Sequence, residues 1–136
     1  MASTAKLQGK GPIVLVDDSE IEGRLAERCK EHSKLRNPWL RFDCGTKFLD
    51  YIEEAGSATE KLPALVLLDL NMPEMSGFEI LSKLKARHLL SNLPIVVLTN
   101  SESPADRKKA LTLGARAYRV KPSLIQDYVE FFDSLD

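Results

Sequence analysis

The chain has 136 residues, the size of one ordinary domain and too short for two. Its 19 Lys and Arg residues nearly balance 20 Asp and Glu residues, which argues against a stand-alone nucleic-acid-binding protein. The apolar runs are too short to span a membrane, and residues 1–11 lack the apolar stretch of a secretory signal. Cys29 and Cys44 show no metal-binding spacing, so we expect reduced thiols and a cytoplasmic protein.

Five short runs of apolar and β-branched residues alternate with segments of helical period over residues 12–136, after a loose polar lead-in at 1–11. The first, third and fourth runs are apolar throughout, as strands buried on both faces must be, whereas the second and fifth carry charges. The pattern predicts an α/β, flavodoxin-like fold: one domain at 12–136 with a doubly wound, five-stranded parallel sheet of order 2-1-3-4-5. The predicted strands are Ile13–Val16, Leu40–Cys44, Leu65–Leu68, Ile95–Leu98 and Ala117–Val120.

Helix boundaries are also marked in the sequence. Ser19 and Glu22 have the spacing of a capping box, in which Ser19 accepts from first-turn amides and Glu22 reaches back. The polar stretch 54–62 is predicted to be a surface loop or a helix extension. Other predicted boundaries are a cap at Ser103 before Pro104, a helix end at Gly114, and a cap at Ser123.

Charged and hydroxyl side chains follow the predicted strands at their carboxyl ends. Asp17 and Asp18 follow the first strand, Asp69 the third, Thr99 the fourth, and Lys121 the fifth. In doubly wound sheets this edge, where strand order reverses, is where ligands bind. Two carboxylates about 4 Å apart repel by about 4 kcal/mol at an effective dielectric constant of about 20. One lysine does not compensate three carboxylates, so we predict a Mg²⁺ site here.

Asp69 is the predicted nucleophile of this edge, because a carboxylate can itself be phosphorylated to an aspartyl phosphate. It ends the central strand and is followed by an open loop at 70–77. Pro73 prevents this loop from continuing as helix or strand, and Gly77 permits conformations that other residues resist. Asn71 is predicted to offer its backbone carbonyl to the cation.

These motifs resemble the receiver domain of response regulators, the phosphorylation-dependent switch of two-component signalling. The resemblance covers about residues 12–135, and its four motifs are ordered and all end strands. They are IVLVDDSE at 13–20, LVLLDLNMPEMSG at 65–77, IVVLTNSES at 95–103 and GARAYRVKP at 114–122. The 54–62 connection and the SESP sequence are similar to small receivers that partner phytochrome-type histidine kinases.

The resemblance implies a role for each residue of the predicted metal site. Asp69 matches the phosphoacceptor of the family, and Asp18 matches the direct Mg²⁺ ligand. Asp17 matches a ligand that acts through water, and the carbonyl of Asn71 matches the backbone ligand.

The resemblance also implies a switch. Thr99 matches the hydroxyl that moves to bond the phosphoryl group, and Tyr118 matches the aromatic residue whose rotamer follows. Lys121 matches the ammonium that pairs with phosphoryl oxygens, and Pro122 matches a proline whose preceding peptide bond is cis in the family.

The function implied is a signalling phosphoacceptor rather than a metabolic enzyme. A sensor histidine kinase or a phosphotransfer protein is the expected partner, without nucleic acid or membrane. The output surface is expected on the fourth helix, fifth strand and fifth helix. The same surface is expected to form the interface of a homodimer. The last helix has an apolar face wider than a core stripe, which is explained either by deep packing or by an outer edge at Tyr128 and Phe131 that joins such an interface.

Three alternatives use the same predicted fold or chemistry. One is an interaction scaffold that does not depend on phosphorylation. Another is a small Mg²⁺-dependent phosphatase resembling the haloacid dehalogenases, but Asp17, Asp18 and Ser19 lack the spacing of its paired aspartates. A flavodoxin-like cofactor carrier is disfavoured, because no Gly-rich or Ser/Thr-rich phosphate loop follows the first strand.

Overall fold

The computed structural model describes residues 6–56 and 62–135, in which five strands alternate with five helices. The strands are β1 (Ile13–Val16), β2 (Trp39–Phe42), β3 (Leu65–Leu68), β4 (Ile95–Thr99) and β5 (Ala117–Val120). The helices are α1 (Glu20–Glu31), α2 (Gly45–Ala55), α3 (Gly77–Ala86), α4 (Pro104–Thr112) and α5 (Ile125–Asp133).

The five strands form one parallel sheet in the order β2-β1-β3-β4-β5, which confirms the predicted fold. Side chains alternate between the two faces of the sheet because successive residues of a strand point in opposite directions. Val14 and Val16 therefore pack with α2 and α3 on one face, and Ile13 and Leu15 pack with α1 and α5 on the other. This double cover explains why β1, β3 and β4 are apolar throughout.

Two strands differ from the prediction in their boundaries. β2 is Trp39–Phe42 rather than Leu40–Cys44, because Trp39 pairs with Ile13 of β1. Cys44 lies outside the sheet, at the N-cap position of α2. β4 runs one residue further than predicted, to Thr99, which pairs with Val120 of β5.

Most of the predicted helix ends are confirmed. The Ser19 hydroxyl accepts the Glu22 N–H at 3.2 Å, and Ser103 caps α4 by accepting the Asp106 N–H at 3.3 Å. Gly114 adopts a φ of 116° directly after the end of α4, a conformation that favours glycine. The cap predicted at Ser123 is wrong, because α5 begins at Ile125 with Leu124 at its N-cap position.

One further expectation is met in part, and another is wrong. The polar stretch 54–62 continues α2 through Ala55, and Gly56 with φ 57° follows as its C-cap; residues 57–61 lie outside the described residues. No peptide bond within 6–56 and 62–135 is cis, so the bond before Pro122 is trans, contrary to the resemblance. Trans is the form that an X–Pro bond favours by about 0.5–1 kcal/mol in the absence of other constraints.

Of the two explanations for the wide apolar face of α5, the outer edge is wrong. Tyr128 and Phe131 are only 5% and 4% exposed and belong to the core between α5, α1 and the sheet. Tyr128 stacks on Phe132 with ring centroids 5.6 Å apart, so the wide apolar face reflects deep packing. The exposed apolar side chains are instead Leu124 and Ile125, each 62% exposed at the start of the helix.

The end of the lead-in is attached to the domain. The Leu7 N–H donates to the Leu135 carbonyl at 3.1 Å, and the Gln8 N–H donates to the Ala64 carbonyl at 3.0 Å. Leu7 also packs against the core cluster beneath α1 and α5. No helix of the described residues is long and apolar enough to cross a membrane.

Candidate functional site

Three carboxylates meet at the carboxyl edge of the sheet. Asp17 and Asp18 follow β1, Asp69 follows the neighbouring strand β3, and one carboxylate oxygen from each lies within 4.8 Å of the others. Asp17 and Asp69 are buried, whereas Asp18 is exposed. Three hard oxygen donors, two buried and one open to solvent, fit a Mg²⁺ ion that keeps several of its waters.

Asp17 is the most firmly held of the three. Its Oδ1 accepts the Ser19 N–H at 2.9 Å, and its Oδ2 accepts from the Lys121 ammonium at 3.0 Å. Its carbonyl oxygen accepts from the Arg41 guanidinium at 2.8 Å. A buried carboxylate with partners on both oxygens cannot move without losing them, so Asp17 is a fixed point of the site.

Asp69 is held less tightly than Asp17. The Asn71 N–H reaches its Oδ1 at 3.4 Å, and the Lys121 Nζ lies 3.5 Å from its Oδ2. Burial raises the pKa of the Asp69 carboxyl; the Lys121 charge lowers it by less, and the Asp17 charge adds to the rise. The net pKa of the Asp69 carboxyl is therefore raised above that of an exposed aspartate.

Gly77, the first residue of α3, packs directly against the end of β3. A Cβ atom at this position would lie 2.6 Å from the Asp69 carbonyl oxygen and 2.9 Å from the Leu70 Cα. Its φ is not positive, so this glycine is required by close backbone approach and not by the unusual conformation that we predicted. The Gly77 N–H donates to the Leu70 carbonyl at 3.0 Å and closes the loop after Asp69.

Lys121 supplies the positive charge of the site from the end of β5. Its side chain is 7% exposed, and its Nζ donates to Glu22 Oε2 at 2.7 Å and to Asp17 Oδ2 at 3.0 Å. Burial lowers the pKa of the ammonium, but the bonds to Glu22 and Asp17 together with the Asp69 charge outweigh it. The net pKa is raised, so Lys121 is charged throughout the physiological range.

Glu22 was missed as a site residue because its spacing from Ser19 predicts a capping box. The Ser19 half of that motif is present, but the Glu22 side chain turns to Lys121 instead of reaching back. The signal available in the sequence was its place in the first turn of the helix that starts at the acidic edge.

Thr99 and Tyr118 are both buried, and both contact Ser101 in the loop between β4 and α4. The Thr99 Oγ1 accepts the Ser101 N–H at 3.4 Å, and the Tyr118 hydroxyl donates to the Ser101 carbonyl at 2.8 Å. Ser101 itself donates from its hydroxyl to Asp106 at 2.6 Å. One loop residue thus connects the two predicted switch residues, a role that its sequence position did not indicate.

A cavity of about 320 Å³ opens beside the exposed carboxylate of Asp18. It lies between the loop after β2 and the loop after β3. Its other lining residues are Asp43, Cys44, Gly45, Lys47, Met72, Pro73, Glu74 and Met75. The site is therefore open to solvent on the Asp18 side and closed on the Asp17 side.

This fold and this acidic edge define a class of protein, the two-component signalling receivers. The family model described as "Response regulator receiver domain" matches residues 13–132, and the chain belongs to this family. Its members are signalling proteins rather than classical enzymes.

The chain is similar to several individual response regulators. It is 36% identical over 117 residues to "Probable methanogenesis regulatory protein FilR2" of Methanothrix harundinacea, covering 85% of this chain and 74% of that protein. It resembles the bacteriophytochrome response regulator AtBRR at a TM-score of 0.72 and 32% identity, covering 94% of both chains. It resembles the Mn²⁺-bound form of response regulator Rcp1 at a TM-score of 0.74 and 28% identity, covering 90% of this chain and 88% of that one.

Proposed function

We propose that this chain accepts a phosphoryl group on Asp69, with Mg²⁺ bound, and transmits that event through protein contacts. The observation that carries the proposal is the set of three carboxylates within 4.8 Å of one another with the Lys121 ammonium against it. A structural ion pair needs one carboxylate for one ammonium, whereas phosphoryl transfer needs a nucleophile, a cation site and a counter-charge at one place.

Asp17, Asp18, Asp69 and the carbonyl of Asn71 are the residues we propose to hold the metal. Bound there, Mg²⁺ would neutralise carboxylate charge and withdraw electron density from the phosphoryl oxygens. The relative Rcp1 has been solved in an Mn²⁺-bound form, which is consistent with a divalent cation at an acidic edge.

Asp69 acts as the nucleophile in the proposed transfer. One of its carboxylate oxygens forms a bond to phosphorus while the bond from phosphorus to the donor breaks, and the electron pair of that bond leaves with the donor. With a histidine donor the bond that breaks is P–N, and with acetyl phosphate it is the P–O bond to acetate. Lys121 carries a positive charge in a largely buried site, and this charge stabilises negative charge on the phosphoryl oxygens.

Thr99, Ser101 and Tyr118 form the proposed switch. A Thr99 hydroxyl drawn to the phosphoryl group gives up its bond from the Ser101 N–H, and the Ser101 carbonyl is the acceptor of the Tyr118 hydroxyl. The loop and the tyrosine are therefore coupled through one residue, which gives the fold a two-state element near β5.

The proposed phosphodonor is a sensor histidine kinase or a phosphotransfer protein. The relatives named as bacteriophytochrome and phytochrome response regulators favour a kinase of phytochrome type. A homodimer through α4, β5 and α5 stays a prediction. The sequence predicted Tyr128 and Phe131 as apolar residues of that interface, but both are buried. The exposed apolar side chains on this surface include Val120 and Leu124.

The test is the intact mass of the protein after incubation with acetyl phosphate and Mg²⁺. We expect the gain of one phosphoryl group, its loss in Asp69→Asn, and its loss when the metal is chelated. Asp50→Asn is the matched control, because Asp50 is an exposed aspartate on α2 and should leave phosphorylation unchanged. Absence of any gain in the unchanged protein would overturn the proposal and favour the phosphorylation-independent scaffold.

A further inference from the structure

We propose that Glu22 is a positioning residue that holds the Lys121 ammonium away from Asp69 and thereby restrains phosphorylation. The inference rests on the proposed function, since it concerns the rate at which Asp69 is phosphorylated. It adds a residue that the motifs of the family resemblance do not include.

The Lys121 ammonium lies at unequal distances from the carboxylates of its three acidic neighbours. Its Nζ lies 2.7 Å from Glu22, 3.0 Å from Asp17 and 3.5 Å from Asp69. N–H···O hydrogen bonds in proteins measure about 2.7–3.2 Å, so the contacts to Glu22 and Asp17 fall within that range and the Asp69 contact does not. Two of the three N–H donors of the lysine are thus directed at Glu22 and Asp17, away from the nucleophile.

The three neighbours also differ in how readily they can release the lysine. The Glu22 side chain is 40% exposed, whereas those of Asp17 and Asp69 are 2% and 8% exposed. Water can replace Lys121 at Glu22, but a buried Asp17 carboxylate without its partner would be left unsolvated. When Lys121 moves to a phosphoryl oxygen, the bond to Glu22 is therefore the one that breaks.

The charge of Glu22 opposes the same movement. In the resting site the carboxylates of Asp17, Asp69 and Glu22 surround one ammonium. The incoming phosphoryl group brings further negative charge to the same ammonium. An ion pair of this partial exposure is worth up to about 1 kcal/mol, which corresponds to about a fivefold change in rate. Removing the Glu22 charge should release Lys121 and accelerate phosphorylation about two- to fivefold.

Glu22→Gln removes the charge with little change in shape, and Glu20→Gln is its matched control. Glu20 lies in the same first turn of α1, and its removal changes the net charge equally. It pairs with Arg24 at 2.7 Å on the exposed surface rather than with Lys121. A general effect of helix charge would appear in both variants, whereas an effect transmitted by Lys121 would appear only in Glu22→Gln.

The experiment compares initial rates of phosphorylation by acetyl phosphate at one Mg²⁺ concentration, followed by intact mass. The variants are Glu22→Gln, Glu20→Gln, Lys121→Met and the double variant Glu22→Gln with Lys121→Met. We expect Glu22→Gln to be two- to fivefold faster than the unchanged protein and Glu20→Gln to match it. The double variant should be no faster than Lys121→Met alone, because Glu22 then has no lysine to hold.

The outcomes separate this inference from the proposed function. Phosphorylation of the unchanged protein with no acceleration in Glu22→Gln would overturn the role of Glu22 alone. Acceleration that persists without Lys121 would also overturn it, since Glu22 would then act by direct repulsion of the donor. Failure of every variant, including the unchanged protein, to gain a phosphoryl group would overturn the proposed function together with this inference.

Discussion

Tyr118 shows how one buried hydroxyl connects a strand to the loop above it. The ring packs in the core on the α2 and α3 side of the sheet, and the hydroxyl donates to the Ser101 carbonyl at 2.8 Å. Without that hydroxyl the tyrosine would be an ordinary core residue. Its bond to the loop therefore gives a measurable distinction between packing and coupling.

We expect Tyr118→Phe to lower the free energy of unfolding by about 0.5–1.5 kcal/mol, the usual worth of one such hydrogen bond. The initial rate of phosphorylation by acetyl phosphate should stay within about twofold, because the hydroxyl contacts Ser101 and not Asp69 or Lys121. Urea denaturation measures the first quantity and intact mass the second.

Tyr51→Phe is the control for this substitution, since Tyr51 is a partly buried tyrosine whose hydroxyl makes no hydrogen bond with the described residues. Equal destabilisation by both substitutions would mean that the Ser101 bond has no specific role.

The residues of the site could be predicted where they depend on strand ends, and not where they depend on side-chain direction. Asp17, Asp69 and Lys121 follow directly from parallel strands ending at one edge. Glu22 and Ser101 do not, because their partners lie far along the chain and either residue has a plausible local role as a cap or loop residue. Which role prevails is decided by the three-dimensional position of Lys121 and Tyr118.

At the scale of elements, the junction of β3 and α3 packs backbone directly against backbone near the site. Gly77 begins the helix against the backbone of Asp69 and Leu70, so Asp69 and the helix cannot shift independently. Ser76 caps the same helix by accepting the Glu79 N–H at 3.2 Å. The position of Asp69 therefore depends on the start of α3.

We expect Gly77→Ala to destabilise the fold by about 1–3 kcal/mol, because its Cβ would overlap backbone atoms that cannot move freely. It should also slow phosphorylation, since relieving the overlap displaces the Asp69 backbone. Urea denaturation and intact mass measure the two effects. Ser82→Ala, on an exposed position of the same helix, should change neither. Stability equal to that of the unchanged protein would contradict the packing argument.

The elements themselves were predictable because their signals are local. Three apolar strands and the caps at Ser19 and Ser103 were identified from adjacent residues. The errors lie where tertiary contacts override local pattern. Trp39 joins β2 because it pairs with β1, and Leu124 rather than Ser123 precedes α5 although it cannot cap the helix with its side chain.

At the scale of the whole molecule, α1 and α5 cover one face of the sheet, and the rings of α5 and of Trp39 form an aromatic layer there. Phe132 lies at its centre, stacked on Tyr128 and edge-on to Trp39 and Phe131. Tyr128 is the titratable group of this layer. Burial raises the pKa of its hydroxyl, with the Lys121 charge lowering it by less.

A raised tyrosine pKa makes the stability of the whole fold depend on pH in alkali. Above about pH 10 the tyrosine of the unfolded chain loses its proton, while Tyr128 in the folded protein keeps it. The unfolded state then binds fewer protons, so the free energy of unfolding falls as pH rises. The raised pKa of Lys121 acts in the same direction, because the folded protein retains that proton too.

Tyr128→Phe should therefore flatten the alkaline loss of stability without removing the aromatic packing. We expect the free energy of unfolding of the unchanged protein to decline from about pH 9 to about pH 11, and the decline to be smaller in Tyr128→Phe. Urea denaturation at steps across that range measures both slopes, and the remaining slope in the variant reports the other groups, Lys121 among them. Parallel curves for the two proteins would mean that the Tyr128 hydroxyl titrates in the folded state as it does in the unfolded chain, and that the aromatic layer does not shield it from water.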